Sequence, residues 1–161
     1  MRWEKASANS SNEIYHLWHN DKKLLTLTIH PFSNSARVEC EEEKRVFLIR
    51  REGFFRNKTA LLNEYGVKIG ELGQENENSF IQVNDERFYY HIEKENQSQL
   101  VVYRESKENP IVVCDLNPAD GKASLWFQNG KQLNSQSSLL MALCWYIFLP
   151  ESRIKLAEFA A

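Results

Sequence analysis

The sequence predicts a mainly β (α+β) fold: an antiparallel closed β-barrel of about ten to twelve strands around one buried hydrophobic C-terminal helix. Three observations lead there. Short runs of β-branched and aromatic residues recur with turn chemistry between them about every 8–12 positions, the cadence of a sandwich or barrel. Within several runs apolar and polar residues alternate with a period of two, which gives one buried and one wet face. After the last of these runs stand eleven consecutive apolar residues, 139–149.

Taken in order, residues 1–12 are polar and rich in Ser and Asn and read as a flexible lead-in, with a single domain over 13–161. The first strand is expected at 13–18. Residues 23–30 alternate cleanly, with Leu25, Leu27 and Ile29 on one face and Thr26, Thr28 and His30 on the other. Further strands are expected at 36–40, 45–51, 55–63, 67–72 and 79–83, with Glu41–Glu43 and Asn84–Glu86 as connections. Asn63-Glu64-Tyr65-Gly66 has the chemistry of a type I turn followed by a left-handed glycine, so 61–62 and 67–72 form a hairpin. Residues 87–93 alternate again, Phe88, Tyr90 and Ile92 against Tyr89, His91 and Glu93. The last strands fall at 99–104, 110–116 and 122–128, and Asn129-Gly130 is a type I′ hairpin signal. Strands never alternate with helices, which argues against a doubly wound parallel sheet.

The apolar run reads as a helix over 137–149, with Asn134 and Ser135 as N-cap candidates and Pro150 as its stop. A buried strand is the alternative, but the length of the run and its Leu, Met and Ala favour the helix. At about 1.5 Å per residue it spans about 17 Å, well short of a bilayer's ~30 Å. A short helix that is apolar all round is buried by protein on every side. Leu139, Leu140, Leu143, Trp145, Ile147 and Phe148 are therefore expected to meet the inward strand residues.

Many strands followed by one all-apolar helix resembles the tubby-like β-barrel superfamily, which includes tubby C-terminal domains, LURP-one-related proteins and phospholipid scramblases. The resemblance covers about residues 13–150. It rests on that order of elements, on the strand-turn-strand segment 61–72 with Gly66 at its turn, and on the helix at 139–149. It implies a barrel enclosing the helix. Because tubby domains bind phosphoinositide headgroups and scramblases act on lipids, it also implies a lipid or anion ligand. No family binding motif aligns with the chain residue by residue, and no site residue is carried over.

Composition narrows the function classes. With 42% hydrophobic and 26% charged residues, the chain is neither disordered nor a bundle of membrane spans. A net charge of −2 argues against general nucleic-acid binding. Phe88-Tyr89-Tyr90 and Trp126-Phe127 offer rings for stacking, but alternation turns half of them inward, and Asp85, Glu86, Glu93 and Glu95 repel phosphate. Cys40, Cys114 and Cys144 are odd in number and sit in apolar stretches. They read as buried thiols in a reducing, cytoplasmic compartment rather than as a disulfide framework. No secretory signal is visible, so the Asn-x-Ser/Thr matches at Asn9, Asn57 and Asn96 read as chance.

One segment carries charge of the opposite sign. Between Lys44 and Lys58 stand six cations against Glu52 alone, with Phe54 and Phe55 among them. One reading makes Arg45, Arg50, Arg51, Arg56 and Lys58 an anion site, with Phe54 and Phe55 entering a membrane interface. The plainer reading is a solvated hairpin paired with Glu39, Glu41, Glu42 and Glu43. Enzyme signatures are missing. The glycines from Gly66 to Gly73 have neither dinucleotide nor Walker spacing, and no Gly-x-Ser-x-Gly occurs. Cys114 beside Asp115 reads as a packed thiol, since a neighbouring carboxylate weakens it as a nucleophile. His16 and His19, an odd number apart on a strand, point to opposite faces and cannot share a metal, while His30 and His91 read as surface residues. No cofactor is expected. The reading is a non-catalytic binding module for anionic phospholipid headgroups or another anion. The alternative is a protein-interaction or structural domain with no small ligand, exposing an apolar patch near Phe54, Phe55 or Trp3.

Overall fold

The computed structural model describes residues 1–8, 11–33, 35–41, 44–52, 58–93, 99–117, 122–127 and 138–149. Its strands are β1 (Arg2–Ala8), β2 (Glu13–His19), β3 (Lys22–His30), β4 (Ser35–Cys40), β5 (Arg45–Glu52), β6 (Lys58–Asn63), β7 (Lys68–Glu75), β8 (Asn78–Val83), β9 (Glu86–Glu93), β10 (Gln99–Tyr103), β11 (Pro110–Asn117) and β12 (Lys122–Phe127). Helix α1 follows at 138–149. Each strand pairs antiparallel with its sequence neighbours, as a meander of hairpins must. The Asn129-Gly130 hairpin, the caps Asn134 and Ser135, Pro150, and Phe54, Phe55 and Arg56 lie outside the described residues.

Two expectations are corrected. The strand order returns on itself, but β12 meets β1 at one residue pair, Arg2↔Ser124. Every other neighbouring pair forms a ladder of at least four residue pairs. The sheet is thus an open antiparallel sheet, curled until its edge strands touch, and not a barrel closed by a continuous ladder. Stagger is the reason. With Arg2 opposite Ser124, only Arg2–Glu4 and Lys122–Ser124 overlap, so over half of β1 and half of β12 run past the other. The second correction is the lead-in: Arg2–Ala8 is β1, laddered on β2 from Arg2↔Trp18 to Ala8↔Glu13. Its apolar signal is a single inward tryptophan. Trp3 is buried and stacks on Trp145 of the helix, ring centroids 5.3 Å apart.

The alternating pattern is realised as expected on the inner face. Leu25, Leu27 and Ile29 of β3, Val38 of β4, Ile49 of β5 and Ile81 of β8 converge on the helix. Helix residues 138–145 are all buried, as are Phe148 and Leu149, so the helix is covered on nearly every side. It satisfies its own backbone polar groups, which lets it fill an apolar interior. Gly66 takes φ +76° at the turn read from sequence, where the Tyr65 and Val67 amides donate to Asn63 Oδ1 at 3.0 and 2.9 Å. Two more tight turns have positive φ at both central residues, Asn20-Asp21 and Asn76-Glu77. These are type I′ hairpins, whose twist matches that of the strands they join.

Candidate functional site

The C-terminal end of helix α1 lies at the end of the ring where β3, β5 and β7 finish. At that end Tyr146, Ile147 and Leu149 form one wall of a cavity of about 470 Å³. The opposite walls come from Ile29 and His30 of β3, Ser35 of β4, Arg51 of β5, Thr59 of β6, Leu72, Gly73 and Gln74 of β7, Ser79 of β8 and Tyr90 of β9. Each of these strands begins or ends at the mouth, so antiparallel pairing itself gathers the residues.

The cavity has two halves. Ile29, Leu72, Ile147 and Leu149 are apolar. Facing them, Arg51 and Thr59, opposite each other in register, stand on the inward rows of β5 and β6, while His30 and Ser35, also opposite each other, border the rim from the outward rows of β3 and β4. Arg51 continues the inward row of Phe47 and Ile49, but at the rim, where it is exposed. His30 Nδ1 lies 2.6 Å from Asn12 Oδ1, which makes Nδ1 the donor and leaves Nε2 for other contacts. Tyr90 is bonded to Ser79, and burial raises its phenol above the usual value, so it is neutral at physiological pH. The described lining contains no carboxylate.

The basic run is divided by the fold. Arg45 and Arg51 share the inward row of β5 at opposite ends of the strand, and Arg50 faces outward between them. Arg45 stacks over Phe47 at 4.9 Å and stands 3.8 Å from Glu64. Lys58, opposite Glu52, lies on the outer face and borders a shallow recess with Glu71 and Arg87. Of the four described cations, Arg45, Arg50, Arg51 and Lys58, only Arg51 lines the mouth cavity. Of the carboxylates expected to neutralise the run, Glu39 is engaged with Arg37 at 2.7 Å and Glu41 with Lys23 at 2.8 Å, and Glu42 and Glu43 lie outside the described residues. Trp3, expected near an exposed apolar patch, is buried; the most exposed large apolar residues among those described are Phe32, Tyr65 and Val67.

The remaining sequence candidates settle into the scaffold. Phe88 and Tyr90 turn inward, while Tyr89 sits outside against Tyr103, ring centroids 6.1 Å apart. Cys40, Cys114 and Cys144 are buried thiols. Burial is the main cause of the raised Cys114 pKa, then its contact with Cys144; Asp115, the neighbour singled out from the sequence, contributes least. No group of three metal-ligating side chains occurs among the described residues, and no described helix is long and apolar enough to cross a membrane.

Sequence reading missed His30, Thr59, Ser79, Tyr90 and Tyr146 as site residues. The available signal was their position: each lies at or near the end of an element that finishes at the same mouth. Compared with protein-family models, with curated proteins and with solved structures, the chain matches none.

Proposed function

We propose that this domain is a non-catalytic binding module that takes a small amphipathic molecule into the cavity at the mouth of the ring. One observation carries the reading: a cavity of about 470 Å³ with an apolar wall on the helix side and convergent polar groups on the strand side. That size falls within the ~300–1,000 Å³ of small-molecule sites, and the mixed lining is their usual character. The same groups offer little for turnover. His30 is oriented through Nδ1 as a general base would be, yet no Ser or Thr hydroxyl is hydrogen-bonded to its Nε2 among the described residues.

Titration with the neutral fluorophore N-phenyl-1-naphthylamine tests this. Saturable one-to-one binding is expected for the wild type. Ile147→Trp, which fills the apolar half, should weaken it about tenfold by removing the space. Thr59→Phe, from the facing wall, provides the same test should the helix variant fold poorly. Binding unchanged in both folded variants, or no saturable binding, would overturn the reading.

A further inference from the structure

We infer that the molecule held in this cavity is an amphipathic anion, a carboxylate or phosphate on an apolar body, with its charge against Arg51 of β5 and Thr59 of β6. This rests on the mouth cavity being a binding site and adds the ligand's chemistry and orientation. Arg51 is the only permanent charge in the described lining, and no described partner is engaged in a salt bridge with it. A guanidinium at a partly enclosed rim gains most from a bidentate oxyanion. Thr59, opposite Arg51 in register, adds a hydroxyl donor. With the charged group at Arg51, the apolar body lies along Leu72 and Ile147 of the same lining.

Isothermal titration at low salt with decanoate, decyl phosphate and 1-decanol separates the alternatives. Decanoate and decyl phosphate should each bind at least about tenfold more tightly than decanol, and lose that advantage in Arg51→Gln while decanol is unaffected. Raising the salt should narrow the same gap. Equal binding of decanol and the anions, or anion binding untouched by Arg51→Gln, would overturn the anion assignment and leave the cavity reading standing. If none of the three binds, both fall. A fourth arm with phosphatidylserine vesicles distinguishes a free amphiphile from a membrane headgroup: vesicle binding that survives Arg51→Gln, without binding of the soluble anions, would move the anion site off the cavity and overturn the assignment.

Discussion

A methyl group added at Gly70 would be driven into the carbonyl of Gln82 on the neighbouring strand, and backbone cannot move aside as a flexible side chain can. Gly70→Ala should therefore cost about 3 kcal/mol, read from the denaturant midpoint at constant slope. Gly73 makes a different demand: its missing side chain leaves room for the Phe80 ring, whose Cζ would stand 2.7 Å from an added Cβ. Arg87 stacks over that ring at 4.4 Å. At Tyr90 the issue is charge. Its folded-state pKa is raised by burial above the ordinary 10.0. The stability it contributes is present below the unfolded pKa and is lost as pH rises through the folded one. Unfolding followed from about pH 10 upward should accordingly show a steeper alkaline loss for the wild type than for Tyr90→Phe. The sign would be reversed if the phenolate were the favoured form. All three thiols are buried, and iodoacetamide should label none of them until the protein is unfolded, as mass spectrometry can show.

The helix and β1 depend on each other through one stack. Trp3 lies parallel to Trp145, and Tyr15 meets Trp145 edge-on at 5.9 Å, so the first strand is fastened to the core by rings rather than by an alternating apolar face. Trp3→Ala should cost about 3–5 kcal/mol, far more than a substitution in a loose lead-in would, and thermal or chemical unfolding reads it directly. The helix tolerates charge even less. Leu143 is 1% exposed with apolar neighbours on all sides, so Leu143→Lys should prevent folding, because a buried ammonium would have no partner. A soluble, cooperatively unfolding variant would contradict that placement. The helix was readable in advance because eleven apolar residues leave no polar face to solvate. β1 was not, because one tryptophan among Arg, Glu, Lys and Ser gives no period to count.

Among the described strands the weakest pairing of the sheet is between β1 and β12. Between β3 and β4 the ladder runs from Leu25↔Cys40 to His30↔Ser35, whereas β1 and β12 share Arg2↔Ser124. Hydrogen exchange should open first at this seam, with amides of β1 exchanging at least about tenfold faster than those of β3. The sequence by itself determined the β class, most strand positions, the Gly66 turn, the buried thiols and the buried helix, because each depends on local periodicity, turn chemistry or total hydrophobicity. It also marked Arg51, but only as one cation in a run. Tertiary structure decided the rest. Pairing register sent Arg50 outward and Arg51 to the mouth, stagger kept the ring from closing with a full ladder, and antiparallel order brought His30, Thr59, Tyr90 and Ile147 to one cavity. These outcomes depend on which strand ends meet and in what register, and residues far apart in the chain carry no local signal of that.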